Sequence, residues 1–337
     1  MKRLLALACI WGWSFLLIKV AVRGMTPATV AAGRIGLGAL VLVGIVRRRR
    51  LAMPQGWEWW RHFVVVALAG SAFPFTLLAW GEQHVSSALT AVLNASTPLF
   101  AAVMAFFLVG DRLTRAQAVG LAVGFVGVAV TAGLALSDLA GSSLGGELAS
   151  VAAGAGYGLS FAYTRRHLTS FPPVVAAASQ LLVATVLLAP VAVVTSVRLG
   201  LPLGWRPALS VTLLGVVGTG LAYVLSYRLI ADLGPTRASV VTYVIPVVAV
   251  TVGVVFLHEE FSLRLLAGGA LVLAGVVLLN CGNWTTPAAV QSPHEDESEV
   301  GDASDGDRGG RGDGAAGGGG SGRVEDRYGP RRQRPHR

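Results

Sequence analysis

The chain has 337 residues, of which 53% are hydrophobic and 13% are charged. Soluble domains carry about 25% charged residues, so this composition excludes an ordinary soluble protein. The net charge of +9 does not indicate nucleic-acid binding, because the basic residues stand at the ends of apolar runs, as Arg47 to Arg50 do. Ten of the 18 acidic residues follow Gly282, and the residues up to that point therefore contain only eight.

Apolar runs of about 20 residues recur along the chain, and this is the length that crosses a hydrocarbon core of roughly 30 Å as a helix. They predict ten transmembrane helices over residues 4–22, 27–46, 62–81, 87–109, 116–135, 147–164, 173–196, 208–229, 237–257 and 264–281. With the N-terminus in the cytoplasm, 13 basic residues of this region lie inside and five outside, as the positive-inside rule requires. We therefore expect an all-α polytopic protein of the cell membrane with both termini cytoplasmic.

The end of the chain differs in composition from the rest. Residues 283–337 are rich in Gly, Asp, Glu and Arg and contain few apolar side chains. Such a segment cannot bury enough apolar surface to offset its chain entropy. We expect a disordered cytoplasmic tail over these residues.

The two halves of the apolar region repeat one pattern. An offset of 146 residues aligns Trp11 with Tyr157, Ser14 with Ser160, Lys19 with Arg165 and Arg34 with Gln180, and an offset of 148 aligns Pro98 with Pro246 and Asp111 with Glu259. The pattern predicts two five-helix units, 1–139 and 140–282. Because five is odd, the second unit enters the membrane in the opposite orientation. Inverted repeats of this kind build transporters, with the substrate site near the midplane where the halves meet.

Four features resemble one protein family. They are "WGWSFLLIK" from Trp11, Arg34 in the second helix, "TPLFAAVMAFFLVGDRLT" over 97–114 and "IPVVAVTVGVVFLHEEFS" over 245–262. Together they make the chain similar to the EamA-type permeases of the drug/metabolite transporter (DMT) superfamily. The resemblance implies ten helices in two inverted repeats and the export of a small metabolite. The chain departs from the family pattern at Asp111, where glutamate is usual, although the acidic character is kept.

The first helix and its counterpart in the second half supply candidate walls for a substrate cavity. Trp11, Phe15 and Tyr157 offer large apolar faces with little loss of rotamer freedom. Ser14 and Ser160 offer hydroxyl groups to a substrate. The alternatives are core packing for the aromatic residues and a bond from each serine to its own helix backbone.

Two cations interrupt the apolar runs of the first half. Arg34 lies about seven residues inside the second helix, roughly 10 Å from its start, where a charge is costly and usually faces the protein interior. Lys19 lies in the same outer half, so the pair is predicted to receive a substrate carboxylate or phosphate. The alternatives are snorkelling of Lys19 to the interface and bonds from Arg34 to helix carbonyls. Gln180, the counterpart of Arg34, is neutral, which predicts an asymmetric cleft.

Prolines inside the fourth and ninth helices are candidate kinks. Pro98 and Pro246 each remove a backbone donor and free carbonyl groups near the midplane. Simple packing kinks are the alternative. Polar side chains near these prolines, and a pair one turn apart on the eighth helix, are further cavity candidates: Asn94, Thr242, Tyr243, Tyr223 and Tyr227.

Acidic residues end the fourth and ninth helices. Asp111 stands beside Arg112 and Arg115, and Glu259 stands near Arg264, which predicts interfacial ion pairs. No carboxylate is expected in the middle of a span, so Lys19 and Arg34 are expected to be the only buried charges. We therefore expect an anionic or zwitterionic substrate, and we disfavour the exchange of a cationic drug for protons through a mid-membrane glutamate.

The expected function is that of a secondary transporter, a permease that exports a small metabolite such as an amino acid by alternating access. Drug efflux and metabolite import by the same fold stay open, as do a membrane scaffold and a lipid-processing enzyme. The sequence has no catalytic constellation, metal-ligand cluster or phosphate loop, so we expect no enzyme activity and no cofactor. The expected partners are a small-molecule substrate, the lipid bilayer and a coupling ion or proton, and not nucleic acid.

Overall fold

The computed structural model describes residues 2–132, 143–199, 204–238, 240–260 and 262–281. All of them fall within one compact unit, Met1–Pro287. The tail predicted over 283–337 lies outside the described residues.

Within these ranges the chain folds into helices, which we number in chain order. Their bounds are α1 Lys2–Ala21, α2 Pro27–Arg48, α3 Trp57–His84, α4 Ser87–Asn94 and Thr97–Val109, α5 Arg115–Ala132, α6 Ser143–His167, α7 Pro173–Leu199, α8 Trp205–Gly215, Val216–Leu221 and Ala222–Ala238, α9 Val241–Leu257, and α10 Leu263–Cys281. Every regular element of the described residues is helical, as the sequence predicts.

Eight of the described helices are long and apolar enough to cross a membrane. The other two are α9, which is apolar but has only 17 residues, and α6, which carries Glu147 together with several glycines and serines. The protein is therefore a polytopic helical membrane protein. The length and composition of α6 and α9 do not by themselves make them spans.

Helices α4 and α9 end in the same way. At the end of α4, Gly110 has a left-handed backbone with a φ of 83°, and its N–H bonds to the carbonyl of Ala105. At the end of α9, His258 has a φ of 53°, and the N–H of the next residue, Glu259, bonds to the carbonyl of Gly253. Left-handed caps of this kind satisfy carbonyl groups that the helix end would leave open.

A π-helical segment interrupts two of the long helices. Residues 68–72 form such a segment in α3, and residues 216–221 form one in α8. A π segment inserts one extra residue into a turn and frequently marks a functional site. The prolines behave differently: α4 is interrupted directly before Thr97 and Pro98, whereas α9 continues through Pro246.

Glycines allow the closest helix crossings. A Cβ atom on Gly275 of α10 would overlap the main chain of Gly124 on α5, and one on Gly158 of α6 would lie 2.6 Å from the main-chain nitrogen of Ala101 on α4. Small residues that let backbones approach are the usual means by which membrane helices associate. We call the α5–α10 contact the glycine seam.

Candidate transport site

Two serine–glycine contacts join the first helix of each half to a π segment of the other half. The Ser14 hydroxyl on α1 lies 3.1 Å from where a Cβ on Gly218 would stand. Similarly, the Ser160 side chain on α6 occupies the space that a Cβ on Gly70 would need. Ser14 also donates to the carbonyl of Ile10 at 3.0 Å, so its hydroxyl is bonded to its own helix, as one of the two sequence interpretations holds.

Arg34 is buried beside the π segment of α8. Only 7% of its surface is exposed. Its Nε donates to the Thr219 hydroxyl at 2.9 Å, and that hydroxyl donates to the carbonyl of Leu214 at 3.0 Å. The guanidinium carbon also lies 4.1 Å from the centre of the Phe75 ring, which is within the range of a cation–π contact. The side chain is thus held by α3 and α8 while its own helix is α2.

Aromatic side chains from three helices surround the same region. The Phe75 ring on α3 meets Tyr157 on α6 edge-on, with centroids 6.1 Å apart, and Tyr223 and Tyr227 on α8 stack at the same distance. All three tyrosines pack against the hydrophobic cluster that contains Ile35. Tyr157 and Tyr223 also interact electrostatically with the guanidinium group. We call Arg34, Phe75, Tyr157, Tyr223 and Thr219 the Arg34 site.

Gln180 stands next to this site on the side of α7. Its Nε2 donates to the hydroxyl of Ser71, inside the π segment of α3, at 2.9 Å. Each π segment is therefore bonded by a polar side chain, Arg34 for α8 and Gln180 for α3. One of the two is charged and the other is neutral.

Lys19 lies elsewhere, at the end of α3. Its ammonium group donates to the main-chain oxygens of Glu82 and Val85, the second at 2.8 Å. A cation at this position satisfies carbonyl groups at a helix C-terminus and complements the helix dipole. The ammonium group thus bonds to the protein backbone instead of extending freely to the interface.

Glu82 is the functional candidate that sequence reasoning missed. Its side chain is fully buried, and Glu147 is only 6% exposed. The expectation that Lys19 and Arg34 are the only buried charges is therefore wrong. The apolar run from residue 62 ends at residue 81, so the sequence predicts that Glu82 lies at the membrane interface. In the structure α3 continues to His84, and the Glu82 carboxyl group lies inside the bundle.

The helix-end acids have different partners from those expected. Asp111 forms an ion pair with Arg165 of α6, with an oxygen–nitrogen distance of 2.6 Å, and not with Arg112 or Arg115. The Glu259 carboxylate accepts bonds from the backbone at the start of α4, whereas Arg264 donates to the carbonyl of Val130 at 3.1 Å. The acids are thus paired with groups from distant parts of the chain and not with their neighbours in sequence.

The remaining candidates lie in separate surroundings. Phe15 shares a buried cluster with Tyr157, whereas Trp11 packs in a different cluster with Leu7 and Leu229. The Asn94 Oδ1 is buried without a hydrogen-bond partner among the described residues. On α9, Thr242 is half-buried, and Tyr243 donates to the carbonyl of Val276 at 3.2 Å, facing α10. The structure therefore brings Phe15, Tyr157, Tyr223 and Tyr227 to the region of Arg34, but not Tyr243.

Known proteins resemble this chain over most of its length. It is 29% identical over 299 residues to the uncharacterized inner membrane transporter YedA of Escherichia coli (strain K12). The alignment covers 85% of this chain and 92% of YedA. It is 28% identical over 275 residues to the "Probable terminal-alkyne amino-acid exporter" of Streptantibioticus cattleyicolor, covering 80% of this chain and 89% of that protein.

A solved crystal structure shares the fold: its TM-score is 0.57 at 22% identity, and it covers 82% of this chain and 94% of the other. The model of the EamA-like transporter family matches residues 3–133 and 144–281. Because these two matches together cover well over half of the chain and include the helices that form the Arg34 site, the chain belongs to the EamA-like transporter family.

Proposed function

We propose that this protein is a secondary transporter that exports a small zwitterionic or anionic metabolite, with an amino acid as the first candidate. The observation that carries the proposal is the burial of Arg34 among aromatic side chains. A guanidinium group has five N–H donors, and the described contacts use only its Nε. A substrate carboxylate would meet the remaining N–H groups of Arg34, and its apolar part would meet Phe75 and Tyr157.

The proposed architecture is ten spans in two inverted repeats, 1–139 and 140–282. Three features support it. The π segments of α3 and α8 stand at matching places, the contacts of Ser14 with Gly218 and of Ser160 with Gly70 are reciprocal, and α4 and α9 share one type of end. Two related halves that rock against each other would expose the Arg34 site to each side in turn.

Outward transport and the orientation belong to the same proposal. The basic residues favour cytoplasmic termini in the plasma membrane. The relative from Streptantibioticus cattleyicolor is named a probable terminal-alkyne amino-acid exporter, which supports both the direction and the substrate class. We call the end of the bundle where Lys19 bonds to the end of α3 the Lys19 end. With this orientation, the Lys19 end faces outward and the Asp111–Arg165 ion pair faces the cytoplasm.

Exchange in proteoliposomes tests the substrate class. Vesicles loaded with one unlabelled L-amino acid are mixed with the same amino acid in radiolabelled form, and a panel of amino acids, organic acids, nucleosides and lipophilic cations is compared. We expect exchange of carboxylated metabolites, its loss in Arg34→Gln, and its retention in Arg23→Gln, whose side chain is exposed. Exchange of lipophilic cations alone would overturn the proposal in favour of drug efflux.

A further inference from the structure

The carboxyl group of Glu82 lies inside the helix bundle without a hydrogen-bond partner. Its side chain has no exposed surface, and neither oxygen has a partner among the described residues. An ionised carboxylate in such surroundings is very costly, because it has lost its water without gaining a donor. A carboxyl group that carries a proton avoids most of this cost.

We propose that Glu82 is the proton-binding group of this transporter. Its carboxylate takes up one proton from the opposite side of the membrane while the Lys19 end of the bundle is closed, and it releases that proton when the Lys19 end opens to water, so that one proton crosses the membrane in each cycle. On uptake the O–H bond of the carboxyl group forms as an O–H bond of hydronium breaks, and release is the reverse transfer to water. The inference rests on the proposed transport function and adds to it the group that couples transport to a proton gradient.

The enclosure of Glu82 excludes larger ligands. Both carboxyl oxygens are shut off from solvent, so a substrate ammonium group has no access to them in this arrangement. The described residues contain no group of three His, Cys, Asp or Glu side chains that could hold a metal ion. A proton is the ligand that needs neither a cavity nor further side-chain donors.

The neighbouring charges already have other partners. Lys19 on α1 bonds to main-chain oxygens, Arg34 on α2 bonds to Thr219, and Glu259 after α9 accepts from the start of α4. These three groups are the main electrostatic neighbours of the Glu82 carboxyl.

Two further titratable groups lie near Glu82. Helix α6, which packs against α3, carries the buried Glu147, and His84 follows on α3 itself, with its Nδ1 2.9 Å from the carbonyl oxygen of Trp80. Neither group supplies the Glu82 carboxyl with a hydrogen bond. No cation among the described residues donates a hydrogen bond to the Glu82 carboxyl, and a proton on the carboxyl removes the charge that would need such a donor.

Lys19 links the proton to the movement of the bundle. Its ammonium group holds the end of α3 by the carbonyls of Glu82 and Val85, and these bonds hold α1 and α3 together at this end. When they separate, water and the freed ammonium group reach the carboxyl, and both favour its ionised form. Opening and release of the proton are thereby one event.

Infrared difference spectroscopy on the full-length protein in lipid tests the proton site without any substrate. We titrate from about pH 5 to about pH 9 and follow the C=O stretch of buried carboxylic acids. The expected result is a band that disappears on alkalinisation in the wild type and in Glu58→Gln, an exposed control at the start of α3. The band should be lost in Glu82→Gln and kept, at a shifted frequency, in Glu82→Asp. A wild-type band in Glu82→Gln, or a band that does not titrate, would overturn the proposal.

A second measurement separates this inference from the proposed function. With any amino acid that exchanges, we compare exchange at equal pH with accumulation driven by a pH gradient. The ratio of accumulation to exchange should fall at least about tenfold in Glu82→Gln and stay unchanged in Glu58→Gln. An unchanged ratio in Glu82→Gln overturns the proton coupling. If the wild type exchanges no amino acid, the proposed substrate class fails, while the infrared titration still decides the proton site.

Discussion

The carboxylate of Glu259 accepts a hydrogen bond from the main-chain N–H of Ser87 at 2.7 Å, although the two residues lie 172 positions apart. The same carboxylate accepts from the N–H of Ala88 at 3.0 Å and from the Ser87 hydroxyl at 3.1 Å. A residue that follows α9 thus satisfies donors that the start of α4 leaves open. The contact joins the two halves of the chain at the Lys19 end of the bundle.

Removal of this carboxylate should destabilise the protein. Glu259→Ala loses three hydrogen bonds, and two of them come from a helix N-terminus, so we expect a loss of about 1–3 kcal/mol in the free energy of unfolding. Thermal unfolding in detergent measures it. Glu260→Ala is the matched control, because its side chain is exposed next to the same turn, and equal losses in both variants would contradict the assigned role.

A methyl group on Gly70 should disturb the π segment of α3. Gly70→Ala places a Cβ against the Ser160 side chain and 2.8 Å from Gln180 Nε2, so we expect a cost of about 1–3 kcal/mol from overpacking. Gly44→Ala on α2 is the control, since nothing lies within 4 Å of its added Cβ. Ser160→Gly should partly restore the yield of folded Gly70→Ala, measured by size-exclusion chromatography. No rescue would mean that the steric account is wrong.

The Lys19 ammonium group should stabilise the folded protein. Lys19→Met keeps the apolar stem but removes the bonds to the Glu82 and Val85 carbonyls, and we expect a loss of about 1–2 kcal/mol from the cap of α3. The apparent melting temperature tests this, with Arg23→Met as an exposed control. If Lys19→Met abolished exchange while the melting temperature stayed at the wild-type value, the ammonium group would belong to the substrate site instead.

Lysine should not replace Arg34. Arg34→Lys keeps the charge but loses the planar fork that reaches Thr219 while lying over Phe75. We expect the affinity for a carboxylated substrate to fall at least tenfold, about 1.4 kcal/mol, because bidentate bonding is lost. Ligand-dependent thermal stabilisation measures this affinity. Equal affinities of Arg34→Lys and the wild type would show that charge alone is recognised.

The helical class of the protein and the burial of Arg34 could be predicted from the sequence, because an apolar run of about 20 residues admits few structures and a cation inside it must face protein. Glu82 could not be placed, since a change of three residues in the end of α3 moves its side chain from the interface to the interior. The partners of Asp111 and Glu259 could not be predicted from the sequence either. They depend on which helix ends meet in space, and local sequence does not contain that information.

The π segments left no strong signal in the sequence either. Residues 68–72 and 216–221 are small or aliphatic apart from one hydroxyl residue each, Ser71 and Thr219, as helix-packing segments commonly are. In the structure, each π segment lies where a serine of another helix packs against a glycine. Ser160 packs against Gly70, and Ser14 packs against Gly218. Both π segments thus lie where another helix approaches closely, a relation that local sequence does not contain.

The glycine seam has a mechanical consequence. Main chain meets main chain where Gly275 crosses Gly124, so at this crossing no side chain stands between α5 and α10 that could change rotamer to let one helix slide along the other. Relative motion there would have to break backbone contact outright. We therefore expect the last helices of the two halves to move as one body in any rearrangement of the bundle.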